Sequence, residues 1–205
     1  MTAQLSKMEK YYRWHAPVYD LTRWSFLFGR RRLIRWVMKD YQPTTILEIG
    51  CGTGFNLLNI GNSYPESKLT GLDASVAMLQ QCRRKLDKAG SRATLLHRLY
   101  DETWSPDLKP DLILFSYSLS MINPGWEQAL DLASRDLSPG GLIAVVDFHD
   151  APAGWFRKWM KYNHVMMEGH LLSALRERFS PLTEEITPAF GGMWRYLLFI
   201  GTKEQ

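Results

Sequence analysis

Three glycines at alternate positions, Gly50, Gly52 and Gly54, are the residues whose type and spacing most directly specify chemistry in this chain. They follow a short β-rich run over 45–49 and open a helix-like run over 55–64. Glycine there lets the backbone approach a ligand closely, and the helix N-terminus presents free N–H groups to it. A dinucleotide fingerprint would have the spacing G-x-G-x-x-G and sit on a pyrophosphate. Here the last interval is shorter, and Glu48 stands in the strand just before the loop. A carboxylate is a poor companion for a phosphate and a good one for an ammonium or a sulfonium; a plain surface acid at a strand end is the alternative. Asp73 closes the next strand, where its side chain can be the N-cap of a helix over 75–88. Asp147 and His149 come at the end of a later apolar strand, where open α/β sheets place their chemistry. His149 is a candidate general base, with a capping or structural role as the alternative.

The elements that must position these groups follow from periodicity. Runs over 45–49, 68–72, 93–97, 111–116 and 142–148 have strand character, and runs over 55–64, 75–88 and 126–137 have helix character. Strands alternating with helices imply a mostly parallel sheet with helices on both faces. Residues 184–187 and 194–201 form a terminal pair of strands. Ahead of this domain, 5–16 and 19–39 are expected as amphipathic helices broken near Ala16-Pro17, with Arg31, Arg35 and Lys39 on one stripe and Ile34, Val37 and Met38 on another. The expected organisation is an N-terminal helical part over 1–42 and one domain over 43–205, with a long helical insertion at about 151–180.

Composition narrows the class. The 205 residues are 45% hydrophobic, enough for one sizeable core. No apolar run reaches membrane-span length, and the start has no signal-peptide pattern, so a cytoplasmic protein is expected. The two cysteines, Cys51 and Cys82, make no disulfide framework. Cys51 is expected to contribute its backbone and small size, since no Cys or His partner lies near it in sequence. His15, His97, His164 and His170 lack metal-like spacing, and no metal site is assigned. The net charge of +4 is uneven: residues 1–41 hold nine Lys/Arg and three Asp/Glu, with Trp14, Trp24 and Trp36 among them. Basic residues interleaved with aromatics suit a membrane interface or a nucleic-acid surface.

At this point the sequence resembles the class I S-adenosylmethionine-dependent methyltransferases. The resemblance lies in Glu48-x-Gly50-x-Gly52-x-Gly54 after the first strand and Gly71-Leu72-Asp73 after the second. It continues in Ala74-Ser75-x-x-Met78-Leu79, the strand over 111–116, and the turn Leu137-Ser138-Pro139-Gly140-Gly141. It covers roughly 44–148 and implies a Rossmann-like, seven-stranded, mostly parallel sheet. It also implies S-adenosyl-L-methionine as cofactor and S-adenosyl-L-homocysteine as product. In that family the acid at Asp73 accepts from both ribose hydroxyls. The resemblance assigns cofactor contacts to Glu48, Gly50, Cys51, Gly52, Gly54, Asp73, Ala74, Met78 and Ser116, and by position adenine contacts to Leu99 and Tyr100, with Asp101 beside them. The family's Gly-Asp signature is absent there, and Arg98-Leu99 stands instead.

Methyl transfer is an in-line displacement, so an amine acceptor must arrive neutral and the site must be poor in water. Tyr11, Tyr12, Tyr19, Tyr117, Phe148, Trp155 and Trp194 are aromatics able to wall such a site or to serve as ordinary core. Tyr11–Asp20, 22–30 and 192–201 resemble bacterial betaine-lipid N-methyltransferases, which trimethylate diacylglycerylhomoserine. Phosphatidylethanolamine N-methyltransferases share Ala16-Pro17-Val18-Tyr19-Asp20. In both groups Tyr19 belongs to a segment that closes over the cofactor, so Tyr19 joins Asp147 and His149 as a candidate catalytic residue. A lipid acceptor implies an anionic membrane surface as partner and a peripheral position on the inner face of the membrane. Residues 5–39 and 155–162 are the expected contact; the alternative for 155–162 is a cap helix packed on the domain. Arg13, Arg23 or Arg195 would hold a substrate carboxylate or phosphate. The rival readings are a soluble small-molecule methyltransferase acting on a quinone or natural product, a nucleic-acid methyltransferase, and a non-catalytic cofactor-binding scaffold. Against nucleic acid, Ser116-Tyr117-Ser118-Leu119 stands where the amino-methylating Asp/Asn-Pro-Pro-Tyr/Phe signature would be.

Overall fold

The computed structural model describes residues 27–103, 109–162 and 165–203. Seven strands form one sheet: β1 (Thr45–Ile49), β2 (Lys68–Asp73), β3 (Thr94–His97), β4 (Leu112–Ser116), β5 (Leu142–Asp150), β6 (Ser180–Ala189) and β7 (Trp194–Thr202). Their order is β3-β2-β1-β4-β5-β7-β6. The first five pair in parallel, and β7 enters antiparallel between β5 and β6. The described helices are α1 (Arg30–Asp40), α2 (Phe55–Ser63), α3 (Val76–Ala89), α4 (Trp126–Asp136), α5 (Gly154–Tyr162) and α6 (His170–Arg176). This is the Rossmann-like methyltransferase fold that the motifs implied.

Alternation along the central strands builds a core on each face. Ile46, Leu114, Ala144, Val146 and Leu198 point to one side and pack with Leu33 and Val37 of α1, Leu57 of α2 and Leu86 of α3. Their neighbours Leu47, Ile113, Val145 and Leu197 point to the other and meet Leu130 and Ala133 of α4 and Leu171 and Leu175 of α6. Strands covered on both faces need continuous apolar runs, which is why β4 and β5 have no polar alternation. The strand order reverses between β1 and β4, so a crevice opens at their C-terminal ends.

Three elements differ from expectation. The long helical insertion over 152–179 holds two short helices, α5 and α6. Between them Glu168 bridges back to Asp150, and Gly169, with φ 74, donates its N–H to the His149 carbonyl at 2.8 Å. Strand β6 runs over ten residues and includes Pro181 and Pro188. It is the sheet's edge, where a missing N–H costs no ladder bond. Helix α1 begins only at Arg30, after Gly29 in a left-handed conformation. From there the expected amphipathicity appears: Val37 and Met38 are buried, and Arg31, Arg35 and Lys39 are exposed. The expectations for 5–16 and 19–26 fall outside the described residues.

Candidate active site

A cavity of about 460 Å³ fills the crevice at the switch point. Its floor is the glycine loop. The N–H groups of Gly50 and Cys51 both donate to the Leu72 carbonyl, at 2.8 and 2.9 Å, and Gly52 N–H donates to Asp73 Oδ2 at 2.8 Å. All three glycines have positive φ. At Gly54 two constraints coincide: φ is 78°, and a Cβ would collide with Cys82 Sγ on α3. Gly54→Ala is therefore expected to destabilise the fold by about 2–4 kcal/mol in urea denaturation, with roughly half recovered in a Gly54→Ala/Cys82→Ala double variant, since only the clash and not the φ strain is removed.

Asp73 serves the backbone on both sides. Its second oxygen, Oδ1, accepts from Ser75 N–H at 2.8 Å, and Ser75 is the N-cap of α3, its hydroxyl accepting from Met78 N–H at 3.3 Å. The capping alternative considered for Asp73 thus falls to Ser75. Burial lifts the Asp73 carboxyl above its ordinary range, opposed by the N–H groups of Ser75 and Gly52.

Glu48 is 1% exposed, which removes the surface-acid alternative. Burial raises its pKa to about 8; the hydrogen bond from Asn56 Nδ2 to Glu48 Oε1, at 2.6 Å, pulls the other way. Its other oxygen, Oε2, is buried without a partner, as are Asn56 Oδ1, Ser116 Oγ and Ser118 Oγ, and all four residues line the cavity. Polar atoms held this way in a native site are matched by ligand groups. A ligand with an ammonium at one end and hydroxyls at the other fits: donors meet the orphaned oxygens, and Asp73 faces the hydroxyls. The opposite wall suits an aromatic ring. Leu99, Tyr100 and Asp101 line it, with Tyr100 OH anchored 2.7 Å from Asp136 Oδ2 and Gln128 Nε2 donating to the Asp101 carbonyl at 2.9 Å.

The structure gathers Glu48, Gly50, Cys51, Gly52, Asp73, Ala74, Met78, Leu99, Tyr100 and Ser116 into one lining. Gly54 stands behind it, as the cap of α2. The two candidate bases on β5 do not line the cavity. Asp147 is fully buried beneath the turn after β4, where it accepts from Ser120 N–H at 3.2 Å and Phe148 N–H at 2.8 Å, and burial brings its pKa to about 6. It positions the loop that carries Ser118. His149 sits half-buried against Gly169, its pKa lowered first by burial. Tyr19, Arg13, Arg23 and His164 lie outside the described residues. Arg195 is paired with Asp150. Tyr117, Phe148 and Trp194 form an aromatic column, at centroid distances of 4.7 and 5.1 Å, of which Tyr117 reaches the cavity. Among the described residues no group of three or more His, Cys, Asp or Glu is placed to hold a metal ion.

Sequence reasoning missed Arg30, Asn56 and Ser118. Arg30 lines the cavity with its guanidinium 4.0 Å from the Phe55 ring centroid and Nε donating to the Leu27 carbonyl at 3.2 Å. Its position on the first turn of α1 carries no local signal. Asn56 had one: it stands in the first turn of the helix that the loop opens, where a side chain can turn back to the strand. Behind the loop, Cys51 Sγ lies over Gly71 of β2 and Cys82 Sγ of α3 lies over Gly54.

A methyltransferase-domain family model matches residues 46–141. Over 105 residues the chain is 33% identical to a trans-aconitate 2-methyltransferase of Variovorax paradoxus (strain S110), a match spanning 51% of this chain and 38% of that protein. It is 28% identical over 200 residues to a demethylmenaquinone methyltransferase of Listeria monocytogenes serotype 4a (strain HCC23), spanning 92% of this chain and 83% of the relative. Among solved structures, the N-methyltransferase NodS from Bradyrhizobium japonicum WM9, in complex with S-adenosyl-L-homocysteine, superposes with a TM-score of 0.70 at 17% identity, covering 86% of both chains. When bound, S-adenosylmethionine supplies an electrophilic methyl group on a sulfonium; the protein supplies the cradle, the acids and the exclusion of water. The lining is one that would hold S-adenosylmethionine, and residues 46–141, which build most of it, match the methyltransferase-domain family on a methyltransferase fold.

Proposed function

We propose that this enzyme methylates the amine of a lipid headgroup at an anionic membrane surface, with diacylglycerylhomoserine as the acceptor. The observation that carries the reading is the outer face of α5. Trp155, Trp159 and Tyr162 are 66%, 50% and 85% exposed, while Phe156 and Met160 on the opposite face are buried. Arg157, Lys158 and Lys161 are exposed among them, and the helix contains no acid. Exposed tryptophans gain nothing in water; beside basic residues they are suited to headgroup depth. Three cations near an anionic leaflet contribute about 1 kcal/mol each. The helix stands by the turn after β6, where Ala153 N–H meets the Met193 carbonyl. At that turn Phe190, half-exposed, packs 5.5 Å from Phe28, next to the cavity-lining Leu27. On this reading a lipid lying under α5 reaches the cavity past Phe190, Phe28 and Leu27. Among the described residues neither Asp147 nor His149 lines the cavity, so neither is assigned the amine's proton.

The demethylmenaquinone relatives, matched over most of their length, favour a second reading, transfer to a demethylmenaquinone. One experiment separates the two. The enzyme is given labelled S-adenosylmethionine with anionic vesicles carrying diacylglycerylhomoserine, phosphatidylethanolamine or a demethylmenaquinone, or with soluble acids such as trans-aconitate. Label in the homoserine lipid is expected. Label in the quinone alone selects the second reading, and vesicle-independent label in a soluble acid removes both. A Lys158→Glu/Lys161→Glu variant is expected to bind anionic vesicles about 30-fold or more weakly, with cofactor affinity unchanged, as measured by vesicle co-sedimentation. Undiminished binding would detach α5 from the membrane.

A further inference from the structure

Tyr117, just past β4, is buried and has φ 56, in the left-handed region. Gly50, Gly52 and Gly125 take the other positive-φ positions of the cavity wall. A bulky side chain is costly in that conformation, so an aromatic kept there points to a role for the side chain. What tyrosine adds is reach. Its N–H is held by the Val146 carbonyl at 2.7 Å, its ring packs on Phe148, and its hydroxyl donates to the Phe28 carbonyl at 2.8 Å. That bond ties the turn after β4 to the strap 27–30. Aromatics fix the strap from its other side. Phe28 stacks on Tyr196 at 6.3 Å and leans on Trp194 at 5.9 Å. Gly29, with φ 80, lies so close to Tyr196 that a Cβ would meet its ring at 2.6 Å. Arg30 follows at once, with Nε returned to the Leu27 carbonyl and the guanidinium over the Phe55 ring. Leu27 and Arg30 both line the cavity. A planar guanidinium oriented by its own strap and by a ring face is set for a planar carboxylate.

We propose that Arg30 receives a carboxylate of the methyl acceptor, and that Tyr117, through the Phe28 carbonyl, is the positioning residue that holds Arg30 there. The proposal rests on the reading of the acceptor as a lipid whose headgroup carries a carboxylate beside its amine. Among the described residues three cations line the cavity: Arg30, Lys85 and Arg98. Lys85 belongs to α3, and Arg98 follows β3 beside Leu99 and Tyr100, on the wall suited to an aromatic ring. Arg30 stands instead with Leu27 and Phe28, on the side from which the lipid is proposed to arrive. Arg195, expected to take a substrate anion, is paired with Asp150. The cofactor's own carboxylate would meet the N–H groups at the start of α2, where Thr53, Phe55 and Asn56 line the cavity. Arg30 is thereby left to the acceptor. A two-point hold, carboxylate on Arg30 and amine toward the methyl group, orients the attacking nitrogen, and orientation is the protein's main contribution to a displacement.

The test compares labelled transfer to diacylglycerylhomoserine in anionic vesicles with transfer to its carboxyl methyl ester, for wild type, Arg30→Gln, Tyr117→Phe and the double variant. Arg30→Gln is expected to raise KM for the acid about 10-fold or more, with kcat and the KM of the ester within about 2-fold of wild type. Tyr117→Phe keeps the ring and removes the hydroxyl, so a merely structural role predicts equal effects on acid and ester. The expected result is a rise of about 3-fold or more for the acid alone, with no further loss in the double variant, because Tyr117 acts through Arg30. Equal effects of Arg30→Gln on acid and ester overturn the proposal, and full additivity overturns the role of Tyr117. Calorimetry identifies the carboxylate: Arg30→Gln is expected to bind S-adenosylhomocysteine within about 2-fold of wild type. A loss of about 10-fold or more that is absent with the decarboxylated analogue puts Arg30 on the cofactor and overturns the acceptor assignment. Label in trans-aconitate but not in the homoserine lipid strikes the lipid reading alone, and the same cycle is then read with trans-aconitate and its trimethyl ester. Label confined to phosphatidylethanolamine or a demethylmenaquinone, neither with a free carboxylate, overturns both.

Discussion

Asp73→Ala is expected to weaken S-adenosylmethionine binding by about 100-fold or more and to cost the fold about 2 kcal/mol. Hydrogen bonds to a charged group contribute about 1.5–3 kcal/mol each, and the two ribose hydroxyls would lose their shared acceptor. The stability loss has a separate origin: the N–H groups of Gly52 and Ser75, at 2.8 Å from the carboxylate oxygens, lose their acceptor in the same substitution. Asp73→Asn separates the two roles. Its carbonyl oxygen can keep Ser75 N–H, but its amide faces the Gly52 N–H donor to donor, so the loop is strained even where the helix start is preserved. Calorimetric affinity together with urea denaturation reads both. Should affinity fall by no more than the loss of stability accounts for, Asp73 is only a brace for the loop.

The second large effect belongs to Glu48. Burial raises its pKa from the usual 4.5 to about 8. Between those values the folded protein binds more protons than the unfolded chain, so without cofactor stability falls as pH rises. The contribution is complete below about 4.5 and lost by about 8, on the order of 3–5 kcal/mol in all. Glu48→Gln is expected to flatten this dependence and to stabilise the cofactor-free protein at pH 8. Binding runs the opposite way. A cationic cofactor beside Oε2 favours the ionised carboxylate, so near neutral pH binding releases up to one proton. Calorimetry in buffers of different ionisation heat measures that release directly. The Gln variant is expected to release none and to bind about 10–30-fold more weakly, the loss of one charge-assisted contact. Identical buffer dependence in both proteins would place the titration elsewhere.

Both effects start from residues legible in the sequence, because their roles are local. The Gly50–Gly54 loop joins a strand to a helix whatever surrounds it, and Asp73 ends a strand within reach of the next helix start. The apolar runs of β1, β4 and β5 and the amphipathic stripe of α1 were equally readable, since periodicity records which faces are covered. What sequence could not decide depends on which chain ends meet. The base candidates Asp147 and His149 share a strand end with the cavity but do not line it, because the turn after β4 folds over Asp147 and Gly169 packs against His149. Arg30 reaches the cavity only because α1 packs across the sheet beside α2. The helix expected over 152–179 divides because Glu168 returns to β5, a contact no local propensity encodes. Cys51, without a partner in its own neighbourhood of the chain, packs over Gly71 of β2, and Cys82 of α3 packs over Gly54 behind the same loop. Local pattern determined the cofactor cradle; the long-range packing of helices against the sheet decided which side chains share it, because those contacts join residues far apart in the chain.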